Sequence, residues 1–164
     1  MNDTIYHQHT SCRICKSTDM TVYLDLGMMP LPNNLENTAQ SAKDVQRFPL
    51  QVMLCNHCGL SQLSIVIDPV KLFSYYTYVS GINQGYKNHC YKMAEDLSQR
   101  FGLTSNTFHI DIAGNDGTLL LEFKKLLNHE VLNVDPAANL TAISEKRGIP
   151  CITTFWGFPV SPPK

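Results

Sequence analysis

Two Cys-x-x-Cys pairs constrain this chain more than any other feature of its sequence. The first pair is Cys12 and Cys15, the second pair is Cys55 and Cys58, and 39 residues separate the two pairs. A two-residue spacer lets both thiolates of a pair face one ion, and two such pairs supply the four sulfur ligands of a tetrahedral zinc site. We therefore predict a structural zinc ion bound by these four cysteines.

A disulfide framework and a thioredoxin-like redox motif are the alternatives for the two cysteine pairs. Disulfides need an oxidising compartment, and the N-terminal residues have neither the basic nor the apolar region of a secretory signal. A redox motif uses one Cys-x-x-Cys on a βαβ unit, whereas these two pairs lie among prolines, asparagines and short strand patterns.

No apolar run reaches the roughly 18 residues of a membrane-spanning helix. We expect a cytoplasmic protein with no membrane partner.

The charge balance argues against a nucleic-acid-binding zinc ribbon. The net charge of the chain is −1, and residues 1–68 hold four basic and six acidic side chains. A ribbon that follows a phosphate backbone needs a stripe of lysines and arginines. Hydrophobic residues make up 43% of the chain, which is enough to form a core. We predict a folded protein without a nucleic-acid partner.

Changes in composition and periodicity divide the chain into four predicted regions. These are a flexible tail (1–10), a β-rich zinc-binding domain (11–68), an aromatic connector with a helix (69–104), and the N-terminal half of an α/β fold (105–164). Within the zinc-binding domain, alternating apolar residues predict three strands, at 21–27, 48–54 and 60–65. The first of these strands is expected to end in loop material at 29–34.

Helical spacing begins in the connector and strands alternate with helices after it. Apolar residues three and four apart predict a helix over 84–101, with Gly102 as its stop. Strand patterns follow at 108–112, 131–135 and 150–154, and helical patterns lie between them. This β-α-β-α-β order is typical of a doubly wound parallel sheet. The predicted fold class is an α+β zinc-binding module followed by a partial doubly wound, Rossmann-like α/β sheet.

The turn after the first strand of that sheet partly matches a nucleotide-binding motif. Methyltransferases that use adenosylmethionine carry an acid-x-Gly-x-Gly-x-Gly pattern here, which lets the backbone approach a ligand. Asp111 fits the acid and Gly117 fits the last glycine, whereas Ala113 and Asn115 occupy the other two glycine positions. Asp116 also lies in this turn, where aspartate is common without any ligand.

Asp135 ends the second strand of the sheet, 24 residues after Asp111. A carboxylate at this position can accept hydrogen bonds from both ribose hydroxyls of an adenosine. The alternative is a helix N-cap, because Pro136 favours the start of a helix. The sequence leaves both interpretations open.

Taken together, the two halves resemble the zinc-containing, adenosylmethionine-dependent C-methyltransferases that act on nucleotide-linked deoxysugars. The matching features are the two cysteine pairs, the segment Tyr-Tyr-Thr-Tyr-Val-Ser-Gly, the turn Asn-Asp-Gly-Thr-Leu-Leu, and Val134-Asp135-Pro136. The resemblance implies zinc and S-adenosylmethionine as cofactors and a nucleotide-linked keto-deoxysugar as substrate. It implies cofactor contacts for Asp111, Asn115, Asp116, Gly117 and Asp135. It also implies a tyrosine near the substrate, Tyr76 or Tyr78, as the catalytic candidate.

Members of that family continue well past the position that corresponds to residue 164. We therefore expect an N-terminal fragment with little or no activity alone. The competing hypothesis is a non-catalytic zinc-binding module that associates with a partner chain, which completes the sheet. Tyr76 and Tyr78 would then pack between domains instead of contacting a substrate.

Overall fold

A computed structural model describes residues 5–128 and 130–157 of the chain. The chain divides into two compact units, with the boundary after Leu72. In the described ranges, no helix combines the length and apolarity that crossing a membrane requires. The first four residues of the predicted tail (1–10) and the last seven of the predicted α/β half (105–164) lie outside the described residues.

The first unit consists of short strands and one short helix. Its elements are β1 (Tyr6–Gln8), β2 (Met20–Pro30), α1 (Ala39–Lys43), β3 (Arg47–Cys55), β4 (Ser61–Leu63) and β5 (Ile65–Ile67). Strands β2, β3 and β4 form an antiparallel sheet in that order, and β1 pairs with β5 in a separate antiparallel ribbon. A small core lies between them, made of Phe48, Ile65 and Ile67.

Two features of the first unit differ from the sequence predictions. Residues 6–8 of the predicted tail form β1, because their backbone pairs with β5 and Tyr6 packs on the core, with its ring edge-on to Phe48. Strand β2 extends past the predicted turn to Pro30, which pairs with Arg47. A proline is tolerated there because β2 is an edge strand and Pro30 ends it.

The second unit is mixed α/β. The short helix α2 (Pro69–Phe73) crosses the unit boundary, and a 3-10 turn (Ser80–Ile82) precedes the long helix α3 (Gln84–Phe101). The remaining elements are β6 (Phe108–Ile112), α4 (Thr118–Leu127), β7 (Glu130–Val134), α5 (Ala138–Lys146) and β8 (Cys151–Ile152). Helix α3 has the predicted bounds, and Gly102 ends it in the left-handed conformation with a φ of 60°.

Strands β6, β7 and β8 form a parallel sheet in that order, with helices α4 and α5 as the crossovers. The predicted β-α-β-α-β order is confirmed over the described residues, although β8 is shorter than expected. The core lies between the helices and one face of the sheet, and contains Ala94, Leu120, Phe123, Val131 and Ile149.

The other face of β6 is open. The ring of His109 stacks on Phe123 of α4 at a centroid distance of 4.1 Å, so β6 turns this face toward the core. The alternate residues of β6 point the opposite way, and Phe108, Ile110 and Ile112 are each about half exposed. Parallel strands are normally covered on both faces, so these three side chains form an uncovered apolar face.

Candidate metal centre and nucleoside cavity

The four predicted zinc ligands come together in the first unit. The Sγ atoms of Cys12, Cys15, Cys55 and Cys58 all lie within 4.8 Å of one another. The Sγ atoms of Cys12 and Cys58 are 3.6 Å apart, and those of Cys15 and Cys55 are 3.5 Å apart. Tetrahedral zinc with bonds of about 2.3 Å places its sulfurs about 3.8 Å apart. The arrangement therefore fits a zinc ion.

The two cysteine pairs adopt the same backbone conformation. In each, the N–H of the first cysteine donates to the carbonyl five residues later, and the N–H four residues later donates back to that cysteine's carbonyl. The residue after each pair is left-handed, with a φ of 64° at Lys16 and 76° at Gly59. The sequence indicates a left-handed residue after the second pair only, where Gly59 follows, because lysine rarely adopts a positive φ.

Gln62 holds the first cysteine pair onto β4. It is buried, its Oε1 accepts the N–H of Arg13 at 2.9 Å, and its Nε2 donates to the carbonyl of Ser11 at 3.1 Å. The sequence alone did not indicate Gln62, which is a polar residue in an alternating strand pattern. A buried amide pointing inward is costly unless both of its ends are bonded, so it marks a specific support of the cysteine cluster.

The thiols do not titrate alike. Burial raises the pKa of Cys12, but backbone hydrogen bonds from Cys15 and Ile14 and the contact with Cys58 outweigh burial and lower that pKa to about 6. A backbone hydrogen bond from Ser17 lowers the pKa of Cys15, but burial and the three neighbouring thiols together raise it to about 12. Four thiolates this close need a bound cation to share their charge.

A cavity of about 350 Å³ lies in the second unit, at the carboxyl ends of β6 and β7. Its walls are mostly apolar and aromatic, and they include Ile112, Pro136, Leu140, Phe155 and Trp156. Of the predicted site residues, Tyr76, Asn115 and Asp135 line it, whereas Asp111, Asp116, Gly117 and Tyr78 do not. In parallel α/β sheets, ligands bind at this end of the strands.

The turn from β6 to α4 explains the glycine pattern of the motif. Ala113, Asn115 and Gly117 all have positive φ, at 61°, 55° and 72°. These are the three glycine positions of the acid-x-Gly-x-Gly-x-Gly pattern, so this chain keeps the backbone conformation with alanine and asparagine in two of them. At Gly117 a Cβ would also overlap the Oγ of Ser144. The backbone requirement is therefore retained where the sequence match is only partial.

Asp135 lies in the wall of the cavity with only 5% of its surface exposed. Its Oδ2 accepts the N–H of Asn115 at 2.9 Å, and its Oδ1 accepts the N–H of Ala137 at 2.8 Å. The N-cap of α5 is Ala137 rather than Asp135. Each carboxylate oxygen accepts one backbone N–H, so each retains acceptor capacity.

Asp116 forms a buried ion pair. Its carboxylate is fully buried, and Oδ2 contacts the Nη1 of Arg147 at 2.9 Å. The same oxygen accepts the N–H of Gly81, and Oδ1 accepts the hydroxyl and the N–H of Thr118. The carboxylate is thus occupied by protein donors, and Asp116 does not line the cavity.

Asp111 lies on the core-facing side of β6, behind the turn. Burial and the charge of Asp135 raise the pKa of its carboxyl above the usual range. Gly114 packs directly against it, because a Cβ at Gly114 would approach the Asp111 carboxylate to 2.9 Å and Asn133 Oδ1 to 2.5 Å. Asp111 is therefore a semi-buried acid beneath the turn.

The two tyrosine candidates differ in their surroundings. Tyr76 is partly buried in the cavity wall, and its ring lies 5.9 Å from that of Phe73. Tyr78 is 47% exposed, and its carbonyl accepts the side-chain N–H of Asn115. Of the two tyrosines, Tyr76 lines the cavity and Tyr78 does not.

Comparisons with known proteins agree with this geometry. Residues 12–73 match the family model Methyltransf_13, whose description is "Putative zinc binding domain". The chain is also 33% identical over 141 residues to a protein from Streptomyces niveus named "C-methyltransferase NovU". That similarity covers 86% of this chain and 33% of the relative, so the chain spans about a third of the relative's length.

The matched family segment begins at Cys12 and contains all four clustered cysteines. The similarity to the methyltransferase spans 141 residues, which is more than the whole first unit, Met1–Leu72, and so reaches into the second unit. Residues 12–73 therefore match a putative zinc-binding domain, and most of the chain is similar to part of a C-methyltransferase, which confirms the resemblance predicted from the sequence.

Proposed function

We propose that the second unit binds the adenosyl group of S-adenosylmethionine, and that the chain contributes to C-methylation of a nucleotide-linked keto-deoxysugar. The observation that carries this proposal is the position of Asp135, whose carboxylate forms part of an apolar cavity at the carboxyl end of β7. The similarity to a C-methyltransferase supports it independently. Zinc has a structural role in this proposal, since the sulfur cluster lies in the first unit.

The cavity walls suit a nucleoside. The free acceptor capacity of Asp135 matches two ribose hydroxyls, which donate to both carboxylate oxygens. The flat apolar surface for the base comes from Phe155 and Trp156, beside Leu140. Aromatic rings bury large areas and stack on planar groups. Asn115 keeps the carboxylate oriented through its backbone N–H, so the acceptor is already in place before a ligand arrives.

The chemistry requires a methyl donor, a base and stabilisation of an enolate. Adenosylmethionine, when bound, supplies an electrophilic methyl group on its sulfonium. Among the described residues that line the cavity, the titratable side chains are Tyr76 and Asp135. In this proposal Asp135 binds the ribose, and Tyr76, which lines the same cavity, is the candidate for contact with the substrate. We therefore expect little or no turnover by these residues alone.

Isothermal calorimetry with S-adenosylhomocysteine tests the nucleoside site. Wild-type chain should bind, and Asp135→Ala should weaken binding by roughly tenfold or more, because hydrogen bonds to a charged group contribute about 1.5–3 kcal/mol each. Asp135→Asn keeps the shape of the side chain and should show an intermediate loss. Asp96→Ala removes an exposed acid from α3 and serves as the matched control. Equal affinity in wild type and both Asp135 variants would exclude this carboxylate as the ribose acceptor.

The second candidate function is association with a further polypeptide that covers the sheet. The uncovered face of β6, formed by Phe108, Ile110 and Ile112, favours it. We propose that methyltransferase sequence outside the described residues packs an apolar element on this face. The test adds the part of a C-methyltransferase that follows the region similar to this chain, either fused to the chain or as a separate polypeptide. This addition should protect the amides of β6 from hydrogen exchange. Unchanged exchange in both formats would contradict the proposal.

A further inference from the structure

The side chains of two asparagines hold the tyrosine segment, residues 74–81, against α5 and the β6–α4 turn. Asn139 of α5 pairs with Tyr76, and Asn115 of the β6–α4 turn bridges Tyr78 and Ser80. Both amides bond to the backbone of the segment. Backbone pairing of this kind fixes where the side chain of each tyrosine starts.

Asn139 makes the tighter of the two attachments. Its Oδ1 accepts the N–H of Tyr76 at 3.1 Å, and its Nδ2 donates to the carbonyl of the same residue at 2.7 Å. The N–H of Ala138 donates to the carbonyl of Ser74 at 3.2 Å. Three hydrogen bonds therefore hold residues 74–76 against the first turn of α5.

The residues that lead into α5 include the proposed ribose acceptor. Asp135 precedes Asn139 by four residues, and its Oδ1 accepts the N–H of Ala137 between them. Tyr76 and Asp135 both line the cavity. A displacement of the start of α5 would thus move the carboxylate and the tyrosine together.

We propose that Asn139 is a positioning residue, which holds Tyr76 at the cavity wall by pairing with both backbone groups of that tyrosine. The role of Tyr76 toward a substrate rests on the proposed function, whereas the attachment itself does not. Asn139 touches neither the cavity nor, in this account, any ligand. It acts through Tyr76. Its two hydrogen bonds connect the backbone of the tyrosine segment to the start of α5, four residues after Asp135.

The chain offers an internal comparison for this proposal. Tyr78 is held by Asn115 and not by Asn139, because the Nδ2 of Asn115 donates to the Tyr78 carbonyl at 3.1 Å. Asn88 lies exposed on α3, where its Oδ1 accepts a hydrogen bond from the Nε2 of Gln84. Variants of Asn139 should therefore affect Tyr76 and leave Tyr78 unchanged, and variants of Asn88 should affect neither.

The test uses the full chain with 3-fluorotyrosine placed at position 76 or at position 78, read by ¹⁹F NMR without any ligand. Asn139→Ala should move the position-76 resonance toward that of free fluorotyrosine. It should also speed exchange of the Tyr76 amide roughly fivefold to tenfold, as expected for loss of one hydrogen bond. Asn139→Asp keeps the acceptor oxygen and should retain most of that protection, yet still shift the resonance because the donor is lost. Asn88→Ala is the matched control.

An unchanged position-76 resonance in Asn139→Ala would overturn the proposal. Equal shifts at positions 76 and 78 would also overturn it, because they would indicate general loosening and not positioning. If Asn139→Ala does not fold, the Asn139→Asp comparison of the two positions decides between these outcomes. Calorimetry with S-adenosylhomocysteine is run separately, so absence of binding with an intact Tyr76 response would reject the proposed function and leave the positioning role standing.

Discussion

The two units reach a stable fold by different means. Among its described residues, the first unit has a small core cluster formed by Phe48, Ile65 and Ile67, and it exposes much of the apolar side of β2. The second unit has a larger core that spans α3, α4 and β7, together with buried polar groups that bond to one another. Four cysteines in the first unit converge on one point. No comparable cluster of metal-ligating side chains occurs in the described residues of the second unit.

This difference shows where each unit obtains its stability. A small core rarely stabilises a domain of this size by itself, and metal ligation supplies folding free energy directly. A larger core can instead accommodate buried charges, provided that every charge is paired. We therefore expect the first unit to depend on zinc, and the second unit to depend on packing and on the Asp116–Arg147 pair.

Loss of the metal should have the largest effect. Structural zinc contributes an apparent 10–16 kcal/mol in small zinc-binding peptides. Cys55→Ser, or a strong chelator, should therefore unfold the first unit while NMR resonances of the second unit keep their dispersion. Metal analysis of wild type should give close to one zinc per chain. Cys151→Ser, outside the cluster, is the control and should retain the metal. Full metal retention in Cys55→Ser would contradict the prediction.

Breaking the buried ion pair should have the next largest effect. Asp116→Ala leaves the partly exposed guanidinium of Arg147 without its carboxylate, although its bonds to the Asp116 carbonyl and the Thr118 hydroxyl remain. The loss should therefore be about 3 kcal/mol, at the low end of the cost of breaking a buried pair. Urea unfolding of the second unit should show this loss. The double variant Asp116→Ala with Arg147→Met should recover part of it. Strict additivity of the two single changes would mean that the pair does not act as a unit.

Relieving a positive φ should stabilise the second unit modestly. Ala113 has a φ of 61°, and the left-handed conformation costs a residue with a Cβ about 1–2 kcal/mol. Ala113→Gly should therefore raise the free energy of unfolding by about 1 kcal/mol. Ala42→Gly in helix α1 should change stability in the opposite direction, by about 1 kcal/mol. Destabilisation by Ala113→Gly would contradict the left-handed geometry.

The pH dependence of Asp111 should be the smallest effect. Burial raises its pKa in the folded state, so the protonated form is favoured there. Its contribution to stability is complete below the ordinary pKa of aspartate and is lost as the pH rises through the raised pKa. Asp111→Asn should therefore raise the melting temperature at neutral pH and leave it unchanged in acid. Melting curves across that range check the sign, and an Asn variant less stable at neutral pH would reverse it.

The sequence predicted the parts of the fold that depend on periodic or spaced residues. The cysteine spacing predicted the sulfur cluster, and the apolar repeat predicted α3 to its last residue, Phe101. The pairing of Tyr6 with β5 could not be predicted, because a three-residue strand has no periodicity of its own and depends on its partner.

The cavity was predicted only in part, for a similar reason. Asp135 follows a strand, so its place at the sheet edge was predictable from sequence order. Asn139 and Gln62 are polar residues inside apolar patterns, and their bonds to distant backbone groups arise only from tertiary contacts. Asp116 was expected to contact a cofactor, yet its bonds to Arg147 and Gly81 depend on segments about 30 residues away in either direction.

The most direct test of the account maps S-adenosylhomocysteine onto the full chain by amide chemical shifts. A nucleoside site at Asp135 predicts shifts confined to the second unit, at residues that line the cavity: Tyr76, Ile112, Ala113, Asn115, Val134, Asp135, Ala137, Leu140, Phe155 and Trp156. It also predicts no shifts around Cys12 and Cys55. Shifts centred on the cysteine cluster, or no shifts at millimolar ligand, would contradict a nucleoside site at Asp135.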